Sequence, residues 1–285
     1  MDKVDVMFGK YVDAGGISFD TARHYRESEA VIGQWLAGKQ RSDYTIITKC
    51  CHPTREEPDK PRVTSEAILS DLDYSLQMLN IECVDILLLH RDDPSYPIDK
   101  LMDTLSKLVD ERKIRAFGVS NWTLDRLKEA ISYCKENNKH APSFNSPNFS
   151  LAKVNKARWA NAVTADDEMI RWHEENQFPL LAWSAQAEGF FGGRFKKEDI
   201  ENPQLAEYTE VYFNELNWKR LAICEELALQ KGVKPIQISL AYVLQQKFPV
   251  FATIGPEEEW QLQDSLDTLS IVLSEEEITR LRNGG

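Results

Sequence analysis

The sequence predicts an α/β fold, a TIM-type (β/α)8 barrel that lacks its first strand. Seven short apolar segments alternate with helical patterns along the 285 residues, and such an alternation forms parallel strands joined by right-handed helical connections. A barrel of this type commonly takes roughly 250 residues. A closed barrel needs eight strands, and a helix precedes the first of the seven, so the missing strand would come before that helix. No change of composition divides the chain, and we expect one barrel domain over residues 1–285, incomplete at its N-terminus.

In the first half of the chain, each predicted strand is followed by a helix with one apolar face. Apolar residues spaced by three and four predict an opening helix over residues 3–14, which Gly15 and Gly16 end. Residues 84–89 form an unbroken apolar run, which is typical of a strand buried on both faces. The strands of this half begin at residue 17 and then cover residues 44–49, 84–89, 116–119 and 143–146. The helices that follow them cover residues 28–36, 64–79, 98–112 and 124–135.

The second half continues the alternation around one long irregular connection. Residues 186–213 contain three glycines and a proline, and such long loops in compact domains are usually functional or mobile. Ser274 is followed by three glutamates, which predicts a capped terminal helix. The strands of this half cover residues 178–184 and 250–254. Its helices cover residues 164–176, 217–230, 235–246, 258–266 and 274–281.

The composition excludes several classes of partner. The formal net charge of -12 argues against nucleic acid and against anionic membranes, because both require a basic face. No apolar stretch approaches the ~20 residues of a membrane span, and the charged start of the chain is not a secretion signal. Five cysteines without metal-ligand spacing indicate reduced thiols. We therefore expect a cytoplasmic protein without a metal site, with His140 and His173 at its surface.

Four reactive side chains follow the ends of successive apolar strands. Asp20 and Tyr25 follow the first strand, Lys49 ends the second, and His90 ends the third. In a barrel of parallel strands, the carboxyl ends of the strands carry the reactive groups. Three of the four also have a structural interpretation alone: a cap for the Asp, packing for the Tyr, and a satisfied polar group for the His. Their common position at strand ends favours a proton-transfer site.

The chemistry of such a site centres on Tyr25 as a general acid. A free phenol has a pKa of about 10, which makes it too weak an acid to be an ideal proton donor at neutral pH. A neighbouring ammonium favours the phenolate and so lowers this pKa. Lys49 supplies an ammonium, Asp20 could keep it charged and oriented, and His90 could hydrogen-bond a substrate oxygen. His24 and His52 flank these residues and are interpreted as polar loop groups. The sequence contains neither a GxGxxG nor a GxxxxGK[ST] motif, so a bound dinucleotide would lie at a barrel mouth.

The strand-end segments resemble the aldo-keto reductase family. The similarity keeps its order from about residue 12 to the C-terminus, and the chain looks closest to the branch also found fused to sugar-dehydrogenase-like domains. The segments that carry the resemblance are FDTARHY (19–25), ITKCCHP (47–53), LLLHRDDP (87–94), IRAFGVSNW (114–122), PNFSLA (147–152), LAWSAQAEGFF (181–191), ISLAYVLQQ (238–246) and IGPEEEWQLQDSL (254–266).

The resemblance implies a barrel that binds NADP(H) or NAD(H) and transfers a hydride to an aldehyde or ketone, its small-molecule carbonyl substrate. By position, Asp20, Tyr25, Lys49 and His90 match the catalytic quartet of the family, with Tyr25 as proton donor. The cofactor-binding positions are also implied. Ser120 and Asn121 match residues that bond the nicotinamide carboxamide, with Asn148 where a Gln is common. Trp183 matches the ring that stacks on the nicotinamide, and Ser184 matches the cover of the pyrophosphate. The adenosine end is matched by Gly255, Gln261, Asp264 and Ser265.

Two departures from the family pattern shape the expectations. The chain lacks the opening hairpin and the Gly-rich first strand, so an open strand edge predicts association with a second copy or with a fused or partner N-terminal segment. Glu257 and the two acids after it stand where many relatives place Arg or Lys, which favours NAD over NADP because carboxylates repel a 2′-phosphate. Alternatively, these acids simply begin a helix.

Two other functions stay open at this point. A barrel with Lys49 as a Schiff-base nucleophile would be an aldolase, although the order of Asp, Tyr, Lys and His argues against it. A catalytically weak nucleotide-binding regulatory subunit, or an inactive truncated barrel, would keep the fold without turnover.

Overall fold

The computed structural model describes residues 2–58 and 60–285, and of Asp2 only the backbone. The chain divides into two compact units, Met1–Ser146 and Pro147–Gly285. In both units, strands alternate with helices and run parallel to the strands that they pair with.

The first unit contains five parallel strands in chain order, each hydrogen-bonded to the next. Because the strands are parallel, their carboxyl ends lie at one edge of the sheet, and this edge carries the strand-end residues. The strands are β1 (Ser18–Asp20), β2 (Thr45–Cys50), β3 (Val84–Leu89), β4 (Ile114–Ser120) and β5 (Phe144–Ser146). The helices are α1 (Asp2–Asp13), α2 (Ser28–Leu36), α3 (Ser65–Leu79), α4 (Ile98–Asp110) and α5 (Leu124–Glu136).

The core of the first unit is built around β3, whose six residues are all buried, as its unbroken apolar run predicts. Near the start of the chain, the ring of Phe8 on α1 lies 4.8 Å from that of Phe19 on β1 and 5.3 Å from that of Trp35 on α2. These contacts hold the opening helix against β1 and α2.

The second unit contains one parallel pair of strands and six helices within the described residues. Its core packs large rings, such as Phe190, Phe191 and Tyr212, against α8 and α9. The strands are β6 (Leu180–Ala182) and β7 (Val250–Ala252). The helices are α6 (Asp167–Asn176), α7 (Ala206–Tyr212), α8 (Glu215–Lys231), α9 (Pro235–Leu244), α10 (Glu259–Asp267) and α11 (Glu275–Asn283).

The prediction of seven strands that alternate with helices, with one helix before the first strand, is confirmed. The capped last helix is confirmed too: Ser274 accepts from the Glu277 N–H at 3.1 Å, and the Glu277 carboxylate accepts from the Ser274 N–H at 2.7 Å. Two expectations are wrong. The region 186–213, predicted as irregular, contains α7, and His173, predicted at the surface, is fully buried with its Nδ1 2.7 Å from the Phe178 carbonyl oxygen.

Candidate active site

The ion pair of Lys49 and Asp20 lies at the carboxyl edge of the first unit. The strand register pairs Asp20 with Ile47 and Lys49 with Leu88, so both side chains are near the ends of neighbouring strands. The Lys49 ammonium donates to Asp20 Oδ2 at 2.6 Å and to the Thr21 carbonyl oxygen at 2.9 Å. These bonds fix the position of the ammonium, and Lys49 as a whole is only 4% exposed.

Lys49 stays charged despite this burial. Burial by itself lowers the pKa of an ammonium, but the charge of Asp20 and the phenol of Tyr25 outweigh it, so the pKa of Lys49 is raised above its ordinary value. A lysine held in this state is a hydrogen-bond donor and a fixed positive charge. It is not a free amine nucleophile.

Tyr25 lies near both Lys49 and His90. The Lys49 Nζ is 4.9 Å from the centroid of the Tyr25 ring, and the rings of Tyr25 and His90 meet edge to face with centroids 5.6 Å apart. Tyr25 is 43% exposed, so a ligand can reach its hydroxyl group. The structure therefore brings all four residues of the predicted quartet together.

His90 is a buried and neutral imidazole. Burial lowers its pKa well below the ordinary value, and the positive charge of Lys49 lowers it further. Its Nδ1 is buried without a hydrogen-bond partner among the described residues. The backbone is held in place, because the His90 N–H donates to the Cys50 carbonyl oxygen at 2.9 Å and the His90 carbonyl oxygen accepts from Asn121 Nδ2 at 3.1 Å. A neutral imidazole of this kind can donate one hydrogen bond to a ligand without supplying a proton.

Two further histidines, His24 and His52, complete a cluster that the sequence did not predict. Their rings stack with centroids 3.7 Å apart, and the His52 ring lies 4.8 Å from that of His90. Burial lowers the pKa of His24, and it lowers that of His52 to about 4. Their positions beside Tyr25 and Lys49 in the chain were the only signal, and nothing in the sequence indicated that the two loops would stack.

Ser120 and Asn121 lie at the end of β4 in the first unit and are buried. The Ser120 hydroxyl donates to the Ser146 carbonyl oxygen at 2.8 Å, and Asn121 Nδ2 also lies 3.1 Å from Ser120 Oγ. Asn121 has a positive φ of 62°, a conformation that Asn tolerates better than most residues. The pair therefore forms a rigid polar end to the strand.

Asn148, Trp183 and Ser184 are neighbours in the second unit. Asn148 Nδ2 donates to the Trp183 carbonyl oxygen at 3.3 Å, and the two residues also form an isolated parallel bridge. The Trp183 ring is half-buried, 5.4 Å from that of Trp159, and its Nε1 is buried without a partner in the described part of the chain. Ser184 has a φ of 50°, so the chain turns sharply where the long connection begins.

The residues predicted for the adenosine end lie on α10 and the turn before it. Gln261 Oε1 accepts from the backbone N–H groups of Glu257 and Glu258, at 2.6 and 3.0 Å, and so caps the helix. Asp264 pairs with Lys234 at 2.7 Å, and Ser265 Oγ donates to the Gln261 carbonyl oxygen at 2.9 Å. Two positions remain open: the side chain of Glu257 is exposed, and a Cβ on Gly255 would meet no atom within 4 Å.

These features fit a nicotinamide cofactor. The half-buried Trp183 ring and the open backbone at Gly255 can each accept part of a dinucleotide. In residues 2–58 and 60–285, no three His, Cys, Asp or Glu side chains are grouped so that they could hold a metal ion. Within the same ranges, no helix has the length and apolarity that crossing a bilayer requires.

Comparison with known proteins places the whole chain in one family. The Aldo/keto reductase family model matches residues 1–283. Probable aldo-keto reductase 1 of Glycine max is 27% identical over 282 residues, which cover 95% of this chain and 76% of that protein. The aldo-keto reductase yakc [NADP(+)] of Schizosaccharomyces pombe is 24% identical over 280 residues, 95% of this chain and 78% of that protein.

A solved structure supports the fold. The thermostable aldo-keto reductase Tm1743, solved with the inhibitor epalrestat, matches with a TM-score of 0.74 at 22% identity. The match covers 100% of this chain and 88% of that one. The predicted fold class, an α/β fold of the TIM-barrel type, is confirmed, with seven strands in the described residues.

Proposed function

Because the chain belongs to the aldo/keto reductase family, we propose that it reduces the carbonyl group of an aldehyde or ketone with NADPH or NADH. The single observation that carries the proposal is the convergence of Asp20, Lys49, Tyr25 and His90 in one unit. An ammonium fixed by a carboxylate at 2.6 Å lies 4.9 Å from the centroid of an accessible phenol ring, and a neutral imidazole meets that ring edge to face at 5.6 Å.

The four residues divide the work of protonating a carbonyl oxygen. Tyr25 is the proton donor, because its phenol is exposed, whereas His90 is a neutral imidazole whose remaining N–H can donate a hydrogen bond but is too weakly acidic to give up its proton. Lys49 stabilises the negative charge left on the phenol oxygen, and Asp20 keeps the ammonium oriented. His90 orients the carbonyl oxygen by donating a hydrogen bond to it.

The cofactor, when bound, supplies the hydride. Ser120, Asn121 and Asn148 would hold the nicotinamide carboxamide, and Trp183 would stack on the nicotinamide ring. Ser184 would cover the pyrophosphate, while Gly255 and the α10 residues Gln261, Asp264 and Ser265 would hold the adenosine. Support for these positions comes from the resemblance, from the half-buried ring of Trp183 and from the open space at Gly255.

The aldolase alternative loses support from the state of Lys49. A Schiff base requires an unprotonated amine, and the raised pKa of Lys49 keeps its nitrogen protonated. Measurement of carbonyl reduction distinguishes the proposed reductase from the other alternative, a weak or inactive nucleotide-binding subunit.

Replacing Tyr25 tests the proposal. We expect Tyr25→Phe to lower carbonyl-dependent oxidation of NAD(P)H by about 10²–10⁴-fold, the usual contribution of a positioned general acid, with little change in cofactor affinity. Steady-state kinetics and cofactor fluorescence quenching measure the two effects. Tyr133→Phe is the matched control, because it removes an exposed hydroxyl that bonds Asp103 on α4. Full turnover in Tyr25→Phe would refute its role, and cofactor binding by a wild-type protein that reduces no carbonyl would favour the regulatory subunit.

The choice between NAD and NADP depends on Glu257. Its carboxylate is exposed at the start of α10, and we propose that it repels a 2′-phosphate. We expect Glu257→Arg to raise the preference for NADPH over NADH by about tenfold, the effect of ~1.4 kcal/mol. The ratio of kcat/KM for the two cofactors is the measurement, with Glu275→Arg on α11 as a control for the same change of charge. If the ratio does not move, the acids at this position serve only to begin the helix.

A further inference from the structure

A pocket of about 590 Å³ in the first unit lies beside the candidate active site and is rich in arginine. Four guanidinium groups line it, together with the stacked rings of His24 and His52. The four arginines are Arg23, Arg26, Arg55 and Arg62.

The pocket is next to the reacting groups. The His52 ring forms part of its wall and lies 4.8 Å from the His90 ring, whose other neighbour is Tyr25 at 5.6 Å. His24, also in the wall, directly precedes Tyr25 in the chain. A substrate whose carbonyl oxygen meets Tyr25 and His90 would therefore extend its remaining part towards the arginines.

The arginines of the pocket differ in whether a carboxylate pairs with them. Arg62 is fully engaged, because it forms two bonds to Asp71 at 2.7 and 2.9 Å. In the described part of the chain, Arg23, Arg26 and Arg55 form no ion pair with a carboxylate, and Arg23 instead stacks on the Tyr74 ring at 3.6 Å.

Two further carboxylates, those of Glu27 and Glu56, line the pocket. With the pair of Arg62 and Asp71 set aside, three arginines and two glutamates line the pocket among the described residues, which leaves one net positive charge. The electrostatics at His24 agree: after burial, the charges of Arg55, Arg91 and Arg23 lower its pKa, as a positive local field does. A positive pocket in a chain of net charge -12 needs an explanation other than overall composition.

We propose that this pocket binds an anionic group, a carboxylate or a phosphate, on the carbonyl substrate. The part of the inference that concerns a carbonyl rests on the proposed function, whereas the binding of an anion does not. A guanidinium presents paired N–H donors that match both carboxylate and phosphate oxygens. Arg26 and Arg55 are the specificity-determining residues, because both are exposed and neither forms an ion pair within residues 2–58 and 60–285.

A matched pair of aldehydes tests the proposal. We expect the wild-type protein to favour para-carboxybenzaldehyde over its methyl ester by about tenfold in kcat/KM, the effect of one charge-assisted hydrogen bond. The double variant Arg26→Gln/Arg55→Gln should lose this preference, and added salt should weaken it in the wild-type protein. Arg55→Lys should keep part of it, since the charge remains but the fork is lost. The control Arg171→Gln removes an exposed arginine of α6 and should keep the full preference.

Calorimetric titration with benzoate and with phenyl phosphate separates this inference from the proposed function. Binding that the double variant loses supports an anion site even if the protein reduces no aldehyde, and the tighter ligand shows whether a carboxylate or a phosphate is preferred. Circular dichroism checks that the double variant is folded. The inference is overturned if the wild-type protein treats acid and ester alike, if the double variant keeps the preference, or if neither anion binds at these arginines.

Discussion

The positions of single side chains decide the chemistry at this site. Asp20 accepts a hydrogen bond from Lys49 at 2.6 Å, and the same ammonium lies 4.9 Å from the Tyr25 ring. One positive charge therefore interacts with both the carboxylate and the phenol. The backbone bond from Lys49 to the Thr21 carbonyl oxygen removes the freedom that a long lysine side chain usually has. Such fixed charges need no reorganisation when a negative charge develops beside them.

The same scale gives a prediction about pH. Burial lowers the pKa of His52 to about 4, whereas an unfolded histidine titrates at roughly 6.5. Between these values the unfolded chain binds a proton that the folded chain does not, so the free energy of unfolding should fall as the pH decreases from 6.5 towards 4. We expect His52→Asn to reduce the slope of the free energy of unfolding against pH in this range. The reduction should be smaller than the slope for one full proton, because the ring is partly exposed and solvent screens it. Urea unfolding at several pH values measures it, and parallel curves for variant and wild type would contradict the prediction.

Among the elements, the crossing of α2 and α3 depends on a glycine. A Cβ at Gly33 would lie 2.5 Å from the Met78 carbonyl oxygen and 2.7 Å from that of Leu79, both in the backbone of α3. We expect Gly33→Ala to lower the free energy of unfolding by about 1–3 kcal/mol, as overpacking does. Gly9→Ala is the control: it lies inside α1 with no atom within 4 Å of its Cβ, and should raise stability by about 0.5–1 kcal/mol. Equal effects in chemical denaturation would show that the helices move apart freely.

The elements also show how far the sequence could predict the structure. Periodicity and the unbroken apolar run of β3 were enough to place the strands, and strand order then brought Asp20, Lys49 and His90 to one edge. Helix α7 was missed because its Tyr, Thr and Val residues are weak helix formers, and its burial against the core stabilises it instead. The stacked rings of His24 and His52 belong to loops, whose paths no periodic pattern records. The burial of His173 likewise depends on tertiary contacts with neighbouring rings.

On the scale of the whole molecule, charge limits how an anionic substrate could be captured. A net charge of -12 repels anions at long range, but salt screens exposed charges beyond roughly 8 Å at physiological ionic strength. Local guanidinium groups such as those of Arg26 and Arg55 can therefore dominate once a ligand has reached the pocket. Affinity for the anion should accordingly be local in origin and not a matter of long-range steering.

On the same scale, the outer edge of β1 predicts association. β1 is first in the strand order and pairs with β2. The carbonyl oxygen of Ile17 accepts a hydrogen bond from β2 at 2.8 Å, and the N–H of Thr21 donates one to β2 at 2.8 Å. In a parallel ladder alternate residues face opposite sides, so Ser18 and Asp20 direct their backbone groups away from β2. The Tyr11 hydroxyl bonds the Ser18 carbonyl oxygen at 3.1 Å and covers only part of this edge, beside an Ile17 that is 53% exposed.

We therefore expect concentration-dependent self-association through the outer edge of β1, and we expect Ser18→Lys to weaken it. A lysine on an edge strand opposes pairing, since a second strand would have to bury its charge. Sedimentation velocity over a range of protein concentrations measures the effect. Ser42→Lys makes the same change of charge at another exposed serine and should associate like the wild-type protein. A wild-type protein that stays monomeric at high concentration, or a Ser18→Lys variant that associates equally well, would show that this edge is not the contact.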